Sequence, residues 1–245
     1  MTSRDPSGNS PAVIIIGASS GIGRALAVEY ARAGYRVGVT ARREALLAEL
    51  CAELPGQATY RAFDIAQTEE AIPALEGLIQ EMVDVDVFVI SAAVGNNNPA
   101  FEWTGECETL SVNVMGCAAM INVAAAHLQK RGRGHLVGLS SIAAIRGIGR
   151  APAYAASKAF LSNYLHGLRC RFMRLGLPII VTDVQPGFVD TRLAAAKFWM
   201  ASPEVAARQI VNAVRKGRTH VYVTRRWRLI AWLIRALPDA LWGRM

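Results

Sequence analysis

The chain has 245 residues, a length that fits one α/β domain with a large core. With 52% hydrophobic and only 19% charged residues, it is too apolar to remain disordered. The net charge is +8, but from Glu204 onward nine Arg or Lys stand against two acids, so the excess is local and no nucleic-acid-reading domain is expected. The four cysteines show no C-x-x-C pair and no His at zinc-ligand spacing, which excludes a metal or disulfide framework and leaves reduced, mostly buried thiols as the expectation.

Residues 1–11 are polar and carry two prolines, and read as a flexible leader. The apolar run at 13–16 is too short for a signal peptide, and no stretch approaches the ~18 to 20 apolar residues that cross a bilayer, so a cytoplasmic protein is expected. Short β-branched runs at 12–16, 36–40, 58–63, 85–90, 135–140, 179–185 and 220–223 alternate with segments of helical length. That alternation predicts a Rossmann-type, doubly wound parallel sheet of about seven strands with helices on both faces. Gly34, Pro55-Gly56, Gly132 with Gly134, and Gly176 with Pro178 punctuate the helix ends.

Directly after the first strand comes Gly17-Ala18-Ser19-Ser20-Gly21-Ile22-Gly23, which opens a helix. A strand-to-helix turn of this kind needs glycine for positive φ and close backbone approach, and its free amides attract a pyrophosphate. A tight connection with no ligand is the plainer alternative. The second strand ends Thr40-Ala41-Arg42-Arg43, with Arg where enzymes that use NAD place an acid for the ribose hydroxyls. Arg42 is therefore read as the partner of an NADP 2′-phosphate, against the alternative that Arg42 and Arg43 only solvate a strand end. Asp64-Ile65, at the end of the third strand, is placed to meet an adenine ring; capping of the next helix by Asp64 is the competing role.

Tyr154 and Lys158, at i and i+4, share one face of a helix that begins after Pro152, and Ser141 lies thirteen residues upstream, just after a strand. A phenol ordinarily ionises near pH ~10, and a neighbouring ammonium supplies the field that favours its anion.

These motifs, in this order, resemble the short-chain dehydrogenase/reductase family over residues 12–222. The family's glycine motif matches Gly17, Gly21 and Gly23; its helix Asn matches Asn113, with Gly116 three residues on; its Ser, Tyr and Lys match Ser141, Tyr154 and Lys158. Its Pro-Gly turn with a following Thr matches Pro186, Gly187, Val189 and Thr191, which the resemblance assigns to the nicotinamide carboxamide. The resemblance implies an NADP(H)-dependent oxidoreductase acting on a carbonyl or alcohol. Asn113, Ser141, Tyr154 and Lys158 would be catalytic, and Gly17, Ser19, Ser20, Gly21, Ile22, Gly23, Arg42, Asp64, Ile65, Ala92, Tyr154, Lys158, Pro186, Gly187, Val189 and Thr191 would hold the cofactor, with no metal. Tyr154 would donate the proton, Ser141 would steady the substrate oxygen, and Lys158 with Asn113 would continue a water relay. One departure stands out: the family's Asn-Asn-Ala-Gly after strand four is replaced by Ser91-Ala92-Ala93, which loses an Asn that braces the sheet. A non-catalytic NADP-binding sensor or scaffold is the alternative, since fold does not dictate function.

Leu193, Phe198, Trp199 and Met200 favour an apolar or bulky substrate, and the loop around Gly95, Asn96, Phe101 and Trp103 is either part of the same mouth or a surface turn. The resemblance implies a homodimer or homotetramer through helices near 106–130 and 152–175, with Ala118, Ala119, Ala124, Ala125 and Ala126 facing Ala159, Phe160 and Tyr164; packing of those small residues on their own sheet is the competing possibility. Beyond the domain at 12–224, residues 225–245 read as a basic amphipathic tail: Trp227, Ile230, Ile234 and Leu237 share a face widened by Leu233, and Arg225, Arg228 and Arg235 lie on another. That face either packs on protein or rests on an anionic membrane surface.

Overall fold

Seven parallel strands arise from the hydrophobic runs: β1 (Ala12–Ile16), β2 (Arg36–Ala41), β3 (Ala58–Ala62), β4 (Val87–Ile90), β5 (Gly134–Leu139), β6 (Ile179–Pro186) and β7 (His220–Val223). The computed structural model describes residues 10–190 and 199–243. The strands lie in the order β3-β2-β1-β4-β5-β6-β7, all pairs parallel, so the chain reverses direction across the sheet between β1 and β4. In such a sheet the crevice for ligands opens beyond the carboxyl ends of the strands at that switch point.

Helices cover both faces. The β1 strand shows how: Ala12, Ile14 and Ile16 join one core, while Val13 and Ile15 join the other, as the two-residue period of a strand buried on both faces requires. The first core holds residues of α3 (Thr68–Met82), α5 (Cys117–Arg131) and α6 (Pro152–Arg174); the second holds residues of α1 (Gly21–Arg32), α2 (Glu44–Glu53) and α7 (Pro203–Arg215). A short α4 (Trp103–Leu110) runs into α5 through a π-helical turn, Ser111–Gly116. Two further helices close the chain, α8 (Trp227–Ala236) and α9 (Asp239–Trp242).

Several expectations need correction. The β4 strand begins at Val87 rather than residue 85, because Val83 and Asp84 both have positive φ and turn the chain before pairing starts. Pro11 is already tied to the sheet, its carbonyl accepting the Arg36 N–H at 2.9 Å. Of the four thiols only Cys117 is buried, its pKa pushed up to about 11 by that burial; Cys170 is exposed. By length and composition the stretch Trp103–Arg131 passes for a membrane span, which the sequence reading did not register. In the fold Cys117, Met120, Ile121, Ala124 and Leu128 pack this stretch into the core.

Candidate active site

The glycine turn hangs from the end of β2: Gly17 and Ala18 donate to the Thr40 carbonyl at 2.8 and 3.0 Å. Gly17 has φ +92° and Gly21 φ +58°, and a Cβ on Gly17 would strike the backbone of Ala92. A Cβ on Gly23 would strike the Gly17 carbonyl oxygen. The turn therefore lies directly against the end of β4, and α1 starts at Gly21 with no side-chain cap at Ser20, so its first amides keep their donors.

Beside this cradle stands Arg43, whose Nη2 donates to Ser19 Oγ and Ser20 Oγ, both at 2.8 Å. Arg42, the residue singled out from sequence, instead reaches Asp64 Oδ2 at 3.5 Å, with half of its side chain exposed. Asp64 also accepts the Ala66 N–H at 3.0 Å in a local turn; it does not cap α3, whose N-cap position is Gln67 and carries no side-chain cap. Ile65 is buried in the core, and a Cβ on Gly116 would strike its carbonyl, so the glycine after Asn113 is what lets the π-helical turn approach the β3 end.

Tyr154 and Lys158 lie on α6 as the spacing requires, the Lys158 ammonium 5.7 Å from the centroid of the Tyr154 ring. Lys158 is buried, yet among the described residues it spends only one of its three donors, giving 3.1 Å to the Leu139 carbonyl at the end of β5. Ser141 caps the short 3₁₀ turn Ile142–Ile145, its Oγ accepting from the Ala143 N–H at 3.1 Å, so its own proton remains to be donated. Asn113, in the π-helical turn, commits its amide to protein: Oδ1 accepts from Val94 N, and Nδ2 donates to the Val94 carbonyl and to Ser157 Oγ at 3.0 Å. The loop after β4 belongs to this neighbourhood, since a Cβ on Gly95 would lie 2.8 Å from the Tyr154 ring and Asn98 N donates to the Arg150 carbonyl at 2.8 Å.

Two features escaped the sequence reading. Arg43 is one, although a second basic residue at the end of β2 is visible in the sequence; its contact with Ser19 and Ser20 is not. Asp183 on β6 is buried and gathers Ser140, Ser162 at 2.6 Å and Gln185 at 3.2 Å, joining β5, β6 and α6 beneath the site; no sequence motif marks it. The Pro186-Gly187 turn is held by Gly187 N donating to the Val223 carbonyl at 2.7 Å, and Val189 is buried and pairs with Ala201. Thr191, Leu193 and Phe198 lie outside the described residues.

A family model described as short chain dehydrogenase matches residues 11–201, which include the glycine turn and the Ser141, Tyr154 and Lys158 group. The chain belongs to the short-chain dehydrogenase family. It is an oxidoreductase of that family with the family's Rossmann-type fold. It is 32% identical to an uncharacterized oxidoreductase of Myxococcus xanthus, over 93% of each chain. It is also 30% identical to an 11-beta-hydroxysteroid dehydrogenase A of Sesamum indicum, over 94% of this chain and 72% of that one. An alcohol dehydrogenase of the archaeon Thermococcus sibiricus, complexed with 5-hydroxy-NADP, superposes at a TM-score of 0.75 with 23% identity, covering 87% of this chain and 95% of that one. A 3-oxoacyl-[acyl-carrier protein] reductase of Brucella melitensis, in complex with NAD, superposes at 0.77 with 20% identity, over 87% and 95% of the two chains. In this short-chain dehydrogenase the residues present suit a dinucleotide. Glycines stand where a side chain would fill the turn, uncapped amides begin α1, and a buried ammonium keeps free donors beside a phenol.

Proposed function

We propose that this short-chain dehydrogenase is an NADP(H)-dependent enzyme that interconverts a carbonyl and an alcohol, working as a reductase of an apolar or bulky ketone or aldehyde. The observation that carries the reading is the buried Lys158 ammonium, held by Leu139 with donors to spare, 5.7 Å from the Tyr154 ring. It stands beside the phenol on the same face of α6, and Tyr154 gives its proton to a substrate oxygen and takes it back. Ser141, whose hydroxyl proton is free, donates to the same oxygen as charge develops there. The Asn113 amide is engaged with Val94 and Ser157, so this residue acts by bracing the chain beyond β4 and by continuing a relay from Lys158. The nicotinamide supplies the hydride when bound.

Arg43, Ser19, Ser20 and Arg42 form the cationic and hydroxyl surround for a 2′-phosphate, Gly17, Gly21, Ile22, Gly23 and Ala92 the pyrophosphate and ribose cradle, and Pro186, Gly187 and Val189 the nicotinamide end. The Arg42–Asp64 pair is half-exposed and weak, so Arg42 can exchange Asp64 for a phosphate. For the substrate, the segments leaving β6 and β7 carry the apolar side chains Phe188, Trp199, Met200 and Trp227, and one relative's name refers to a hydroxysteroid. The catalytic unit spans 12–224. Assembly as a homodimer or homotetramer uses the face of α5 and α6 where Asn122 donates to the Tyr164 hydroxyl at 2.8 Å and Phe160 stacks on Tyr164. Ala126 is exposed there and Ala118 half-buried, while Ala119 packs against the core and Ala124 and Ala125 are buried in their own domain.

The test is oxidation of NADPH, with NADH in parallel, against a panel of carbonyl compounds. Tyr154→Phe should lower turnover by about 10²- to 10⁴-fold while leaving NADPH affinity unchanged. Full activity in that variant, or NADPH binding without turnover of any carbonyl, would overturn the catalytic reading and favour a sensor.

A further inference from the structure

The tail helix α8 is apolar on two sides, and only one is used by the fold. Its inner side is fixed: Trp227 is buried edge-on to Phe188 at 5.3 Å, Ala231 is buried, and Arg146 closes the far end by donating to the carbonyls of Ile234 and Leu237 and pairing with Asp239. Trp242 adds an indole N–H to the Gly147 carbonyl at 2.7 Å. This anchoring fixes what points outward. Leu229, Trp232 and Leu233, at i, i+3 and i+4, form a stripe in which Leu229 is 73% and Trp232 71% exposed, and Leu241 on α9 is exposed as well. Arg225, Arg228 and Arg235 are exposed along it, and none has a carboxylate partner among the described residues.

The stripe occupies a particular edge of the molecule. Of the twelve exposed large apolar side chains among the described residues, seven lie on segments that follow strands at one edge: Phe101 and Trp103 after β4, Trp199 after β6, and Leu229, Trp232, Leu233 and Leu241 after β7. The others, Leu46, Val83, Met115, Met173 and Leu175, sit on helices or helix ends elsewhere. The segments after β4, β6 and β7 leave the carboxyl ends of parallel strands, the edge that also carries Ser141 and Tyr154. Exposed aromatic and leucine side chains rimmed by exposed arginines have the composition of a surface that sits in a bilayer interface, with acyl boundary below and anionic headgroups beside it. At ten residues α8 is about 15 Å long. Such a stripe is narrow for a protein interface of about 800 Å² per partner, and too short to cross a membrane.

We propose that the outer stripe of α8, with its flanking arginines, docks this enzyme on an anionic lipid bilayer surface, with the site's edge turned towards the lipid. The docking does not depend on the catalytic reading, and Tyr154→Phe is expected to bind lipid as the parent does. The experiment is co-sedimentation of the full chain with vesicles of phosphatidylcholine alone or enriched in phosphatidylglycerol. Expected results are binding to the anionic vesicles at low salt, weakening as salt rises, and little binding to phosphatidylcholine. R225Q/R228Q should lose about fivefold in partitioning per arginine removed, and W232E or L229S should abolish sedimentation while both keep the parent's circular dichroism. Three results would overturn the proposal. The full chain could ignore anionic vesicles at low salt, or W232E and L229S could both sediment undiminished. Alternatively, W232E could convert a larger species to a smaller one in lipid-free light scattering, which would assign the stripe to a second copy of the chain.

Discussion

Asn113 grips the peptide of Val94 from both sides, Oδ1 accepting its N–H at 2.9 Å and Nδ2 donating to its carbonyl at 2.7 Å. That pairing braces the chain just beyond β4, where Ser91-Ala92-Ala93 offers no asparagine of its own. Cys117 adds a weak contact from Sγ to the Ala92 carbonyl at 3.6 Å. Asn113→Ala would take the side-chain partner from both Val94 groups, while Ser157 Oγ would keep its bond to the Tyr154 carbonyl, and should lower stability by about 1–3 kcal/mol. A shift of the urea midpoint at constant m-value would report it; a midpoint within error of the parent would mean that water replaces the brace.

The layout of the sheet was legible because each strand is a short β-branched run buried on both faces, and β1 and β7 fall at the residues the pattern marks. Tyr154, Lys158 and Ser141 were legible because a helix places i and i+4 together and a strand end fixes the serine. What escaped is non-local. Nothing near Arg43 in sequence says that its guanidinium folds back 24 residues onto Ser19, or that Arg146 reaches 88 residues ahead to cap α8. The tail pattern predicts one apolar face, Trp227, Ile230, Ile234 and Leu237 widened by Leu233; Trp227 turns inward, whereas Leu233 points outward with Leu229 and Trp232. The outer stripe as a whole is not marked because a helix apolar on two sides has no single polar side to orient it.

For the cofactor, NADPH should be preferred over NADH by at least about tenfold in kcat/KM, roughly 1.4 kcal/mol. Arg43→Ala should erode the preference at least as much as Arg42→Ala, since Arg43 already lies on the Ser19 and Ser20 hydroxyls while Arg42 is turned to Asp64. Arg42→Asp should reverse it by setting an acid near the ribose. Equal use of both cofactors by the parent would defeat the assignment.

Acid should destabilise the fold through His135. Thr182 Oγ1 spends its proton on the Arg218 carbonyl, so it accepts from His135 Nε2–H at 2.6 Å, and the buried ring is held neutral. Burial lowers its pKa to about 4. The unfolded chain, with an ordinary histidine near ~6.5, binds the proton more readily, so this stability is complete above that pH and is lost as pH falls through 6.5 towards 4. The loss amounts to about 3 kcal/mol across the window. Thermal unfolding between pH 7 and pH 4 should show the slope, and His135→Gln should flatten it; an unchanged slope in the variant would place the acid sensitivity elsewhere.

The last expectation separates packing at the site from stability of the fold by making one substitution at two glycines ten residues apart. At Gly95 an added methyl would lie 2.8 and 3.1 Å from Cδ2 and Cε2 of the Tyr154 ring, so the ring must move before the methyl fits. A displaced phenol loses its alignment with Ser141 and Lys158, and a misplacement of about 1 Å can cost on the order of 10²-fold in rate. Gly105 is inside α4, where a Cβ would meet only Asn96 at 3.7 Å, an ordinary contact, and replacing glycine by alanine in a helix gains up to about 1 kcal/mol. Gly95→Ala should therefore lower kcat steeply with little change in NADPH affinity, whereas Gly105→Ala should keep full activity and melt slightly higher. If Gly95→Ala turns over like the parent, the loop after β4 does not set the position of Tyr154. Loss of NADPH binding together with activity would instead mean that the added methyl disturbs the cradle around Ala92, three residues upstream.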